Sequence, residues 1–316
     1  MHSRYIKYII KRLLMMAVIF LIVSMFIFFI LRIAGIDPIS VLGGEKGITS
    51  QVRAELEKKY NLDKPLISQY GSWLAGLFNG NLGLDYVNRQ DVWSLITPRI
   101  PITLGLVIMS MLIAVVIAIP AGMISAVYKN TPVDSAISII SLILVAMPGF
   151  LVSILMVVFC AKFVPGYSFV GTYNSFGEFL SRIALPSVAL SFSPIAFMTR
   201  VSRSSMIEQL KSGYVMTAKA KGLSTGRIVI KHAFHNAVLP VLTIGSMMVG
   251  TTIAGAVLVE TVFSLPGMGS LLITSIKQYN YPISQTLLLI LLAVFLIISC
   301  VVDIIYALVD PRISIK

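Results

Sequence analysis

Apolar residues in this chain come in long unbroken runs. Leu13–Leu31 holds 19 residues without a charge, Ile100–Tyr128 holds 29, Ser135–Ala161 holds 27 and Tyr281–Val302 holds 22. A run of about 18 or more apolar residues can cross the hydrocarbon core as a helix. Two weaker runs join these four: Ile183–Thr199, interrupted by Pro186 and Pro194, and Ala237–Val259, rich in Gly and other small residues. The pattern predicts an all-α integral membrane protein with six transmembrane helices, over roughly 8–31, 100–128, 134–162, 183–201, 237–260 and 283–305. Proline and glycine inside the spans (Pro101, Pro120, Pro148-Gly149, Pro186, Pro194) predict kinks, which neighbouring helices or water can satisfy.

The polar stretches between the runs divide the chain further. Residues 1–31 form a short N-terminal lead and the first span. The basic lead carries no small-x-small cleavage site, and the apolar stretch after it is too long for a signal core, so it reads as an uncleaved span. Residues 32–99 are polar enough for a subdomain after helix 1, with a helix over Ser50–Tyr60, a second over Leu66–Phe78, and turns at Asp63-Lys64-Pro65 and Asn79-Gly80-Asn81. Residues 100–309 form the membrane core, interrupted by a polar segment at 202–236, and 310–316 form the tail. In that segment Tyr214–Lys221 reads as a short helix rich in Ala. Gly222 fits a helix stop, and Ser224 or Thr225 an N-cap. A second helix then runs to His235-Asn236, and Leu239-Pro240 starts the fifth span.

Charge sets the orientation. With the N-terminus inside, the inner segments hold four Lys and Arg before the first span, one at Lys129, seven from Arg200 to Lys231, and Arg312 and Lys316, 14 in all. Eight of the remaining 11 lie in 32–99, among seven acids. Short loops count most in this rule, so both termini are expected in the cytoplasm, 32–99 outside and 202–236 inside. The net charge of +12 therefore reflects orientation and lipid contact, not nucleic acid.

Chemistry is scarce. No GxxxxGK[ST] phosphate loop is present, and GGEKG at 43–47 lacks the spacing; HExxH is missing too. Cys160 and Cys300 suggest neither a disulfide framework nor a metal site. The three histidines do not converge as zinc ligands would. The only acids touching the expected spans are Glu260 and Asp303, whereas ion-driven carriers need intramembrane charge, and no selectivity filter is visible. The chain reads as a non-catalytic bundle without an energy source, so a partner must drive it. The 202–236 segment could rest on lipid headgroups or dock into a partner's groove. Small residues at Ala218, Ala220 and Gly222, open to a partner's backbone, favour docking.

TAKAKGLSTGRIVIKHAFHNAVLPV resembles the cytoplasmic loop by which ABC importer permeases engage their ATPases. More narrowly it resembles the B-type permease of the dipeptide/oligopeptide/nickel uptake family. So do YIIKRLLMMAVIFLIVS, LDKPLISQYGSWLAGLFNGNLG, MTRVSRSSMIEQL, ETVFSLPGMG and VDIIYALVDPRI, in order along nearly the whole chain. Met216-Thr217-Ala218 stands where the general importer loop carries its EAA triplet, and Asn280 stands where the family has an acid. The resemblance implies that Ala218, Lys219, Ala220, Gly222 and Leu223 form a coupling helix and its turn. It also implies that Glu260, Pro266, Gly267 and Gly269 form an external gate or loop. Implied partners are a second homologous permease, two cytosolic ABC ATPases that hold ATP and Mg, an extracytoplasmic binding protein and the lipid bilayer of a bacterial-type inner membrane. No cofactor or metal is expected on this chain. Peptides are the expected cargo, with nickel or a chelated metal as the alternative; a self-contained channel or carrier is the reading from another class.

Overall fold

The computed structural model describes residues 2–33, 39, 49–59, 62–164, 173 and 175–309. The GGEKG motif, Asp310-Pro311-Arg312, the 310–316 tail and the side chain of Asp303 lie outside the described residues. Those residues are nearly all helical. Among them there is no strand, and one antiparallel bridge joins Leu84 and Asp91. Five helices are long and apolar enough to cross a membrane, or six if one bent pair counts as a span.

The chain forms two compact units, Met1–Pro101 with Pro266–Leu296, and Ile102–Leu265 with Ile297–Lys316. The first unit therefore takes in more than the expected 32–99 subdomain. It contains α1 (His2–Ile33), α2 (Ser50–Lys59), α3 (Leu66–Phe78) and the short α4 (Val92–Ile96). A 3₁₀ turn (Thr97–Arg99) leads from α4 into α5 (Ile100–Val127), most of which belongs to the second unit. Helix α2 and helix α3 fall where the sequence predicts them. Asp91 caps α4, its carboxylate accepting from the Ser94 N–H at 3.0 Å. Phe28 of α1 packs against Tyr70 and Trp73 of α3, at 5.4 and 5.5 Å between ring centroids. Such pairs contribute about 0.5–1.5 kcal/mol beyond their burial.

The second unit contains α6 (Pro132–Ala146), α7 (Gly149–Phe163), α8 (Phe176–Leu210), α9 (Gly213–Ala220) and α10 (Thr225–Val262, π-helical over Ile228–Ala233). Helix α11 (Met268–Lys277) belongs to the first unit, and α12 (Tyr281–Val309) begins there.

The expected third span is broken, not kinked. Its halves α6 and α7 meet at 93°. Met147 is extended at φ −90°, ψ 110°, and Pro148 follows at ψ 135°. The proline ring disfavours helical geometry in the residue before it, and its nitrogen has no hydrogen to continue the helix. By contrast Pro120, Pro186, Pro194 and Pro240 all lie inside continuous helices. Leu239-Pro240 thus starts no element: α10 runs through it from Thr225, with Ala237 and Val241 buried on either side of the proline.

Helices α5 and α8 approach closely through small residues. A methyl at Gly122 would lie 2.5 Å from the Ser202 Cβ and 2.8 Å from the Thr199 carbonyl, and one at Gly105 would lie 2.6 Å from the Phe179 ring. Small residues let helix backbones approach where lipid gives no hydrophobic drive for helix association.

Candidate functional site

Helix α9 is only eight residues long, too short to be stable alone. Its own chain holds it. Val215 and Ala218, three residues apart and so on one face, are buried against Ala126 of α5, Met206 of α8, and Ile228, Val229, Ala233 and Ala237 of α10. Burying a valine side chain contributes about 1.5–3 kcal/mol. At the rim, the Tyr214 hydroxyl donates to Gln209 Oε1 at 2.8 Å and accepts from Asn236 Nδ2 at 3.1 Å, tying α9 to both flanking helices.

Gly222 stops the helix. The Gly222 N–H bonds to the Lys219 carbonyl at 2.9 Å, and the Leu223 N–H reaches back to the Ala218 carbonyl at 3.3 Å. This pair of bonds is a Schellman ending. It needs a left-handed residue, and Gly222 has φ +77°. Leu223 then packs on the same cluster as Ala218, the apolar contact that accompanies this ending. A Cβ at Gly222 would meet nothing within 4 Å, so the demand for glycine is conformational, not steric.

The five expected coupling residues therefore divide. Lys219, Ala220 and Gly222 are exposed, while Ala218 is 8% exposed and Leu223 half-buried. Ala218 anchors α9 from within and offers no surface to a partner, which corrects the expectation of an open small-residue face that included it. The outward face carries a residue that the sequence reasoning passed over: Met216, 62% exposed beside Lys219, Ala220 and Lys221. The spacing puts Met216 on the face opposite Val215 and Ala218, but only their burial shows that this face is outward. Ile230 on α10 is also exposed, and Arg227 and Lys231 flank it in sequence. The surface combines apolar side chains with lysine and arginine.

Beneath α9 lies an ion pair that the sequence reading also missed. Asp134, in the first turn of α6, is 4% exposed. Its carboxylate accepts from Arg203 Nε and Nη2 of α8, both at 2.7 Å, from the Ser125 hydroxyl of α5 at 2.5 Å, and from the Asn130 N–H at 2.9 Å. Glu260 and Asp303 are thus not the only acids at the spans. Asp134 opens the expected third span, 134–162, but was not counted among its acids. Met206, one turn beyond Arg203 on α8, is fully buried in the cluster that holds α9. The pair fixes the helix ends on which α9 sits, and the two-pronged Arg–carboxylate geometry resists rotation. A push on α9 would pass through packed side chains into α5, α6, α8 and α10.

The expected gate residues lie elsewhere. Glu260, near the end of α10, is fully buried and accepts from the Thr103 hydroxyl of α5 at 2.5 Å. The Leu265 N–H bonds to the Glu260 carbonyl at 2.8 Å, around Ser264 at φ 54°. In the first unit, Pro266 is exposed, while Gly267 precedes α11 and Gly269 lies in its first turn, both buried.

Comparison with known proteins supplies the wider frame. Residues 118–315 match the family described as "Binding-protein-dependent transport system inner membrane component". Residues 5–107 match "Binding-prot-dependent transport system membrane comp, N-term". The chain is 35% identical to the di/tripeptide transport system permease protein DppB of Pseudomonas aeruginosa, over 98% of each chain. It is 31% identical to the dipeptide transport system permease protein DppB of Escherichia coli K12, covering 98% of this chain and 99% of the relative. The oligopeptide transport system permease protein AppB of Bacillus subtilis is 33% identical, at 97% and 99%. Among solved structures, a chain from inward facing conformations of the MetNI methionine ABC transporter superposes with TM-score 0.56 at 19% identity, covering 68% of this chain and 96% of that one.

Proposed function

The chain belongs to the family of binding-protein-dependent transport system inner membrane components, a multi-pass permease, and from that premise we propose that it is the permease subunit of an ABC importer for di- and oligopeptides. The names of the relatives, all peptide permeases along their full length, support the cargo. It forms half of a translocation path with a second, similar permease. An external binding protein delivers the peptide, and two cytosolic ATPases bind ATP and Mg and drive the cycle. Both termini and α9 face the cytosol, and Glu260, Pro266, Gly267 and Gly269 lie toward the outer mouth.

The observation that carries the reading is the two-sided construction of α9. Val215 and Ala218 fasten it to the ends of three other helices, and Met216, Ala220 and Lys219 face out. An exposed Met beside small residues is an adaptable anchor for a partner's groove. A short rigid helix transmits a partner's movement as rigid-body displacement. The test is reconstitution of the chain with its second permease, ATPases and binding protein in nanodiscs, with peptide-stimulated ATP hydrolysis as the readout. Stimulation by peptide, lost in Met216→Asp, is expected. Stimulation by nickel alone, or peptide transport without ATPases, contradicts it.

A further inference from the structure

The first unit carries an open cavity of about 340 Å³, within the range of small-molecule sites. Arg32, in the last turn of α1, lines it together with Trp73, Tyr86, Asn81 and Gln285. How this arginine is held is unusual. Its Nε donates to Gln69 Oε1 at 3.2 Å, and its Nη1 donates to the Phe28 carbonyl at 3.2 Å and to Gln285 Oε1 at 3.3 Å. The guanidinium carbon lies 3.4 Å from the centre of the Phe28 ring. All these partners are neutral. Among the described residues no carboxylate pairs with Arg32, and none bonds to its Nη2.

The neutral partners are themselves built in. Gln69 and Gln285 are buried. Gln69 Nε2 donates to the Leu62 and Lys64 carbonyls at 3.3 and 2.8 Å, which turns its oxygen toward Arg32. Two faces of the guanidinium are thus fixed, and the third nitrogen is left for something else. A cation half-removed from water, with no counter-charge among the described residues, is costly unless an anion reaches it. Gly76 and Asn81, also in the lining, approach closely: the Asn81 N–H bonds to the Gly76 carbonyl at 2.9 Å, and a methyl at Gly76 would lie 2.9 Å from the Asn81 carbonyl. The Trp73 indole N–H, in another lining residue, is buried without an acceptor.

We propose that this cavity is a binding site for a small carboxylate, the C-terminal carboxylate of a short peptide, with Arg32 Nη2 as the charged donor. One guanidinium matches one monovalent anion, and the aromatic faces of Trp73 and Tyr86 give the peptide an apolar wall. The site lies at the end of α1 that the orientation above places outside, where cargo would arrive. The identity of the ligand rests on the peptide reading of the preceding section.

Saturation-transfer NMR on the complete permease–ATPase complex in nanodiscs, without binding protein, tests it. The probes are Ala-Ala, its C-terminal amide and its N-acetyl form. Ala-Ala and the N-acetyl form should bind, with the amide at least about tenfold weaker, the usual scale of a charge-assisted hydrogen bond. Arg32→Gln should make acid and amide equal, and Arg32→Lys should keep part of the preference. Equal binding of acid and amide to the unmodified complex overturns the proposal, as does an unchanged preference in Arg32→Gln. So does failure of Ala-Ala to bind while Arg32→Gln weakens docking of the binding protein, because the carboxylate would then come from that protein. Peptide-stimulated ATPase activity in the same preparation separates this failure from failure of the importer reading.

Discussion

Arg203 and Arg32 are both arginines drawn partly out of water, yet their surroundings are opposite. Arg203 meets the Asp134 carboxylate with two nitrogens at 2.7 Å, and Ser125 and Asn130 complete the acid's shell. Arg32 meets two amide oxygens, a backbone carbonyl and an aromatic ring. The first arrangement is closed, and its charges cancel within the chain. The second is open: its charge is held in place, and no acid among the described residues answers it. A closed pair serves rigidity under α9; an open one serves recognition in a cavity. Burial of charge alone does not distinguish structure from binding; the completeness of the partner set does.

The sharpest way to break this contrast is to remove one partner of the closed pair. Asp134→Ala leaves Arg203 without its counter-charge, and loss of one partner from such a pair costs about 3–5 kcal/mol. A large drop in the thermal midpoint of the purified complex is expected. Replacing both residues with leucine should recover most of it, because a well-packed apolar pair often matches a buried ion pair. If Asp134→Ala melts like the unmodified protein, the pair is not the brace described here.

Next in size is Met216→Asp. The side chain is exposed, so stability should hardly change. ATPase affinity should fall by about 2 kcal/mol if Met216 fills a hot-spot pocket, measured by retention of the ATPases on the purified permease. Gly222→Val should cost about 1–2 kcal/mol, because φ +77° is unfavourable for a branched residue. Peptide-stimulated hydrolysis should fall while insertion persists. Gly222→Asn, which tolerates that conformation, should lie between the two. The smallest stability effect belongs to Arg32→Gln. Its lost contacts are to neutral groups, and a shift below about 1 kcal/mol is expected, against the large effect at Asp134. A destabilisation as large as that of Asp134→Ala would show that Arg32 is structural after all.

Much of the architecture could be read from residue order. Uncharged runs located the long helices because lipid tolerates little else, and α2, α3 and the stop at Gly222 followed from local chemistry. What escaped depended on contacts distant in sequence. Proline alone does not distinguish a kink from a 93° break, since Pro186 and Pro194 sit in an unbroken helix; Gly149 after Pro148 is the one local difference, a turn signal the other two lack. Asp134, at the first position of the expected third span, drew no notice because its partner is 69 residues away. Ala218 looked available to a partner, although its spacing from Val215 places both on one face; only the packing showed which face was inward. Glu260 could be singled out by sequence, but its bond to Thr103, 157 residues away, could not.

The central claim is that an ATPase docks on the outward face of α9. Cysteine cross-linking tests it most directly, in a complete complex whose Cys160 and Cys300 are replaced by serine. Ala220→Cys on the outward face and Phe78→Cys at the end of α3 are both exposed starting positions. The account predicts that Ala220→Cys cross-links to the ATPase subunits, with a yield that changes on adding ATP, and that Phe78→Cys does not. Equal cross-linking from both positions, or none from Ala220→Cys in an assembled, ATP-hydrolysing complex, would contradict it.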